Sequence, residues 1–305
     1  MKLVRYRFKH PYAQSRMGIV QGDHVLDISG LQHELIERGT LDAATYLIPS
    51  DPQAFYQQAQ FHIEQTEQLL PHMKDTDSLH MHKREDVVLE APVPNPSKII
   101  CTGINYANHV KEMGSDIPKY PVLFSKFNNA LIGPEDDIHN PQTTNKLDYE
   151  VELAVVIGKR ASYVKKEDAL TYVAGYTIAN DISARDLQKR TPQWLQGKSL
   201  DHTTPIGPWL VTRSELADPS NLAITSYVNQ EVRQSSNTKH LIFDIEYLIS
   251  FISSLMTLEP GDIIFTGTPD GVGLAMNPSR FLQAGDTVKL EIEKVGTLTN
   301  RVIDK

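Results

Sequence analysis

The chain has 305 residues, more than one compact domain usually holds, and its 40% hydrophobic and 22% charged residues are those of a folded globular protein, not a disordered one. A formal net charge of −8 excludes a general nucleic-acid binder, which needs a basic face to displace counterions from phosphates. No stretch approaches the roughly 18 apolar residues of a membrane-spanning helix, and the single cysteine, Cys101, allows no intrachain disulfide, so the expected setting is the reducing cytoplasm, without nucleic-acid or membrane partners.

Residues 1–30 read as short strands, with Gly18-Ile19-Val20 and His24-Val25-Leu26-Asp27-Ile28 flanking a hairpin turn at Gln21-Gly22-Asp23. Ser29 is placed to cap a short helix that Gly39 closes. A second helix is expected from the cap Asp51 and Pro52 to Pro71, because Phe55, Ala59, Ile63, Thr66 and Leu70 recur on one face. Residues 71–86 are polar and read as a solvated connector, although His80 and His82 would share a strand face. Pro92, Pro94 and Pro96 exclude a helix interior or central strand, so a small α/β domain is expected over 1–94 and a larger domain over 95–305.

Past residue 97 apolar runs dominate and end in Gly-Asp turns at Gly261-Asp262 and Gly285-Asp286, which predicts a strand-rich α+β unit. Lys98-Ile99-Ile100-Cys101 reads as a buried strand, with Cys101 packing as a small hydrophobe. One helix interrupts the strands. Asp244 caps it, Ile245, Leu248, Ile249, Ile252, Leu255 and Met256 form its apolar face, and Pro260-Gly261 stops it.

The chemistry concentrates in Asp148-Tyr149-Glu150-Val151-Glu152-Leu153-Ala154-Val155-Val156. The valines make this a strand, and side chains two apart share a face, so Glu150 and Glu152 project together from Cα atoms roughly 6–7 Å apart. Two like charges beside an apolar sheet repel, and a hard divalent cation relieves the conflict. Gly175 to Asp181 reads as a second strand that delivers Asp181 where strand meets loop. Three carboxylates leave about three octahedral positions for water and substrate, as a catalytic cation requires. Asp186 is expected to cap or pair structurally, and Arg185 to pair with Asp186.

Five ordered motifs carry a resemblance: Lys98 to Gly114 with Asn105-Tyr106-Ala107-Asn108-His109, then Asp148 to Glu152, Asn180 to Asp186, Gly197-Lys198-Ser199, and Thr266-Gly267-Thr268-Pro269-Asp270-Gly271-Val272-Gly273. From about residue 96 to 303 the chain resembles the fumarylacetoacetate hydrolase family, most closely its short acylpyruvase, decarboxylase and isomerase branch. Two positions depart from the pattern. Asn108 stands where many relatives carry Asp, and Asn105 stands where the long animal-type hydrolases supply a further carboxylate ligand.

The resemblance implies a mixed β-sandwich roll, a homodimer, and Glu150, Glu152 and Asp181 as ligands of Mg²⁺ or Mn²⁺. It implies His109 and Glu112 as an acid–base pair, Lys198 in the site, and Thr268 on the substrate carboxylate. Lys126 and Gln193 are further substrate-contact candidates, the latter within a lid expected over 182–196. A 2-oxo acid chelating the cation would form an enolate when the adjacent bond breaks. The leading expectation is hydrolysis of a C–C bond in acylpyruvate-like 1,3-diketo acids. Oxaloacetate decarboxylation and isomerisation of a 2-hydroxymuconate-type dienoate use the same site, and a metabolite binder or a structural Ca²⁺ site are the rivals of another class.

Overall fold

A computed structural model describes residues 1–75 and 78–305, so Thr76 and Asp77 of the expected connector lie outside it. Two sheets face each other, which gives the expected strand-rich sandwich. The larger runs, in spatial order, Met81–Lys83, His24–Asp27, Arg16–Gln21, Lys2–Phe8, Thr204–Thr212, Val173–Asn180, Val151–Ile157, Ile263–Phe265, Ile99–Gly103 and Val122–Lys126. Its neighbours along this path are antiparallel except Ile263–Phe265 and Ile99–Gly103, which run parallel with Ile264 opposite Ile100. The smaller sheet orders Glu231–Asn237, Ala223–Val228, Thr287–Ile292, Gly296–Asp304 and Ile138–Asn140.

Alternation along Val151–Ile157 divides the interior. Val151, Leu153, Val155 and Ile157 turn toward the smaller sheet and meet Ile224, Leu290, Leu298 and the Ile245–Leu255 helix. Ala154 and Val156 turn the other way, where Leu3, Phe55 and Ile63 from the first hundred residues pack with Ile99, Cys101 and Phe265. Both faces are apolar, so the central strands read as continuous hydrophobic runs.

The proline run leaves no break in this interior. Lys2–Phe8 pairs with Thr204–Thr212, with Leu3 opposite Leu210, and the first 94 residues share a core with the rest. They meet the larger part along a sheet edge and through packed side chains.

Local expectations are met where turn chemistry governs. Gln21 lies opposite His24 across a two-residue turn with Gly22 at φ 56°, and the Asp244 carboxylate accepts from Tyr247 N at 2.8 Å to start the predicted helix. Cys101 is fully buried, as read. Three expectations need correction. The first helix, Ile28–Glu37, is capped by Asp27, not Ser29: its carboxylate accepts from Gly30 N at 2.6 Å. The helix from Asp51 is two helices, Pro52–Gln57 and Ala59–Leu69, broken at Gln58. There Gln60 N donates to Gly158 O, so a carbonyl just past the Val151–Ile157 strand replaces the helical partner. His82 sits on a strand with its ring 4.8 Å from that of Phe8, packing rather than solvated. Among the described residues no helix is long and apolar enough to cross a membrane.

Candidate metal centre

Glu150 and Glu152 stand at the entrance of the Val151–Ile157 strand, and Asp181 directly follows its antiparallel neighbour Val173–Asn180. Val151 lies opposite Asn180, and Asp181 N donates to Glu150 O at 2.9 Å. This register brings the three carboxylates together. One oxygen from each lies within 4.8 Å of the others, and all three residues are buried. Among the described residues this is the one cluster of three or more such groups placed to hold a metal ion.

Cations surround the cluster on one side. Lys198 Nζ donates to Glu150 Oε2 and Asp181 Oδ2, each at 2.6 Å. The Arg185 guanidinium reaches Glu150 Oε1 at 2.8 Å and Asp148 Oδ2 at 2.8 Å. Lys126 Nζ lies behind the cluster, 2.7 Å from Asp181 Oδ1 and 3.0 Å from Ile182 O, with no exposed side-chain surface. Burial opposes the charge on Glu150, but Lys198 and Arg185 outweigh it and hold this carboxyl below the usual range. Burial likewise opposes the Lys198 ammonium, yet Asp181 and Glu150 hold it above its ordinary value.

Glu152 is the exception. It accepts from Gly267 N at 2.7 Å and has no ion pair among the described residues. Burial, then Asp181 and Glu150, push its carboxyl well above the usual range. Three hard oxygen donors, one of them buried without a countercharge, fit a divalent cation of the Mg²⁺ or Mn²⁺ type.

His109 lies on the short helix Ala107–Glu112 and lines the same cavity as the triad. Its Nδ1 is 3.0 Å from Glu112 Oε2, while Glu112 Oε1 accepts from Gly271 N at 2.8 Å. A carboxylate at Nδ1 calls for the proton there, which leaves Nε2 with a free lone pair. The pair expected from its three-residue spacing therefore meets, with Glu112 braced by the Gly267–Gly271 turn.

The cavity measures about 150 Å³, and Thr102, Phe124, Gln188, Trp194 and Thr268 also line it. The Thr268 hydroxyl donates to Val151 O at 3.0 Å and accepts from Gln234 at 2.8 Å. Gln193 is exposed and lines the neighbouring hollow, not this one. Lys126 is not on the wall of this cavity: its buried ammonium is bound to Asp181 and Ile182 O, so it steadies that carboxylate. Asn105 supplies no ligand, since its amide is buried and staples Thr266 O and both backbone groups of Phe243.

Arg185, expected to pair with Asp186, pairs instead with Asp148 and Glu150, while Asp186 accepts from Thr144 and Leu187 N, a structural role as expected. Sequence reasoning missed Thr102; its buried hydroxyl has no partner among the described residues. A polar residue in an otherwise apolar strand was the available signal. The expected lid is only half a surface feature, because Ile182, Ser183, Ala184, Arg185 and Leu187 are buried.

Residues 98–303 match the family described as fumarylacetoacetate (FAA) hydrolase, C-terminal. The chain is 50% identical over 222 residues to oxaloacetate tautomerase FAHD2A, mitochondrial, of Bos taurus, covering 72% of this chain and 71% of that protein. It is 40% identical over 304 residues to oxaloacetate tautomerase Fahd2a, mitochondrial, of Rattus norvegicus, covering 99% and 92%. Among solved structures, 5-carboxymethyl-2-hydroxymuconate delta-isomerase from Mycobacterium smegmatis aligns with a TM-score of 0.74 at 34% identity, over 100% of this chain and 99% of that one. Maleylpyruvate hydrolase from Sphingobium sp. SYK-6, in complex with manganese (II) ion and pyruvate, aligns at 0.76 with 31% identity, over 100% and 99%. Matches of this length and identity make the chain a member of the fumarylacetoacetate hydrolase family of enzymes.

Proposed function

We propose that this protein interconverts the keto and enol forms of a small 2-oxo acid, with oxaloacetate as the substrate that best fits. The observation that carries the reading is His109, whose Nε2 is left free by Glu112 beside three buried carboxylates in one small cavity. Relatives 50% and 40% identical carry the name oxaloacetate tautomerase.

Glu150, Glu152 and Asp181 would hold the Mg²⁺ or Mn²⁺. When bound, the cation supplies Lewis-acid stabilisation of the charge that grows on the 2-oxygen as the adjacent carbon loses a proton. In the keto-to-enol direction His109 Nε2 takes that proton from the carbon and passes it to water, while the 2-oxygen takes one from water; the reverse direction returns both, so no bond between heavy atoms breaks. Glu112 steadies the imidazolium formed in passing. Lys198, held on the cavity wall by Glu150 and Asp181, serves as a fixed cation for a substrate oxygen. Thr268, on the cavity wall, is the reading's contact for a substrate carboxylate, to which its hydroxyl would turn the proton it gives Val151 O.

Hydrolysis of acylpyruvates, the leading expectation from sequence, is the second reading. The likeness to maleylpyruvate hydrolase favours it, and the same histidine suits removal of a proton from water. The family resemblance also supports a homodimer, which sedimentation of the purified protein tests.

The deciding experiment presents metal-stripped protein, with and without added Mg²⁺ or Mn²⁺, with oxaloacetate and acetylpyruvate in parallel. Loss of enol absorbance, carbon dioxide and pyruvate are read separately. Metal-dependent enol–keto exchange of intact oxaloacetate bears out the proposal. Cleavage of acetylpyruvate alone moves the assignment to hydrolysis, and carbon dioxide release alone moves it to decarboxylation.

A further inference from the structure

We infer that Trp194 sets the length of acid the site accepts, by walling the reaction cavity off from a larger apolar hollow beside it. The inference rests on the 2-oxo acid reading above. The reaction cavity, about 150 Å³, is of the size that takes one benzene-sized molecule, well below the roughly 300–1,000 Å³ of pockets for larger ligands. Next to it lies a hollow of about 710 Å³, walled in part by Pro96, Leu123, Phe127, Leu195 and Met256. Two side chains, Phe124 and Trp194, line both spaces.

Phe124 is fixed. It lies opposite Cys101 in the Val122–Lys126 strand, and Lys198 Nζ sits 4.8 Å from its ring centre. Among the described residues the Trp194 side chain has no hydrogen bond and is held by packing contacts. Its indole meets Phe124 edge-on with ring centres 5.2 Å apart, and it lies against Gly103 so closely that a Cβ there would be 2.5 Å from Cζ3. The indole thus rests on bare backbone between the two spaces, reached from a turn that precedes the Leu195–Lys198 helix. A short acid fits on the near side. A 2-oxo acid with an unbranched apolar tail would run into the indole, although the surface beyond suits such a tail. Each methylene that gains an apolar contact is worth roughly tenfold or more in discrimination.

The test measures binding of pyruvate, 2-oxobutanoate, 2-oxohexanoate and 2-oxooctanoate to the Mn²⁺-loaded full chain by calorimetry. Wild type, Trp194→Phe, Trp194→Ala and Gly103→Ala are compared, with thermal melts as the folding control. Wild type should bind the short acids and discriminate against the long ones. Trp194→Ala should raise the affinity for 2-oxooctanoate relative to pyruvate by about tenfold or more, and Trp194→Phe should stay near wild type. Gly103→Ala displaces the indole without deleting it, so it should shift the same ratio even where Trp194→Ala folds poorly. An unchanged ratio in the folded variants overturns the inference and leaves the proposed reaction standing. Failure of wild type to bind any of the acids overturns the proposed reaction and this inference with it.

Discussion

The Nδ1 of His109 and the two oxygens of Glu112 form a chain that ends at Gly271 N, so the two residues fail differently when changed. His109→Ala removes the proposed base and is expected to lower kcat by roughly 10²–10⁴-fold, with Mn²⁺ affinity unchanged by calorimetry. Glu112→Gln offers one acceptor oxygen to two donors, so the loss should be intermediate; a loss equal to that of His109→Ala would show that Glu112 does more than orient the ring. Glu152 carries the pH prediction. Because its folded carboxyl is held above the usual range, the metal-free protein holds a proton there to higher pH than an ordinary carboxyl does, and a cation bound at the triad would expel it. Cation affinity should therefore rise with pH up to that raised value and level off above it. Calorimetry in buffers of different ionisation heat reads the released proton, and Glu152→Gln should remove both the slope and most of the affinity.

Among the elements, the Ile28–Glu37 helix depends on Asp27, which also accepts from Tyr6 at 2.5 Å and from Arg16 at 2.6 and 2.9 Å. Burial opposes this carboxylate, but Arg16 and Tyr6 hold it below the ordinary carboxyl range. Its stabilising effect is thus complete above the unfolded value of about 3.9 and lost as the pH falls toward the folded one. Asp27→Ala breaks the cap and the buried pair together and should cost on the order of 3 kcal/mol in a denaturant titration at neutral pH, with the difference from wild type shrinking in acid. Gly197 is a second test at this scale. A Cβ there would lie 2.5 Å from Gln188 N and 2.6 Å from Ala184 O, so Gly197→Ala must push the Leu195–Lys198 helix away and draw Lys198 off its carboxylates. A loss of about 1–3 kcal/mol in stability, accompanied by a fall in kcat, is expected.

The same scale shows how much was legible beforehand. Turns and caps with local chemistry could be read, as at Gly22 and Asp244, and so could the shared face of Glu150 and Glu152, which needs only the two-residue period of a strand. The pairing of Arg185 with Asp148 and Glu150 could not, because it depends on how two distant strands are registered. Lys126 was placed near the site by its charge, but which side of Asp181 it occupies is set by an edge strand paired through Ile99. The break at Gln58 was hidden for the same reason: its cause is the carbonyl of Gly158, a hundred residues away.

Across the whole molecule, the triad joins the two central strands of the larger sheet, so a bound cation acts on the entire fold. A ligand that binds only the folded chain stabilises it by about 2.7 kcal/mol at a hundredfold excess over Kd. Saturating Mn²⁺ should raise the melting temperature by several degrees, a chelator should reverse this, and Glu152→Gln should show no shift. A shift retained in that variant would place the cation elsewhere.

Ile263–Phe265 lies between Val151–Ile157 and Ile99–Gly103 and, among the described residues, is their only bridge in the larger sheet. During synthesis both of its neighbours emerge long before it does. Until residue 265 is free to insert, a nascent chain exposes two facing strand edges that belong together yet cannot meet, and unpaired edges recruit other chains. The burden of productive folding therefore falls on a three-residue strand made late, and a polypeptide stopped short of it should be recovered in aggregates instead of as a smaller soluble fold.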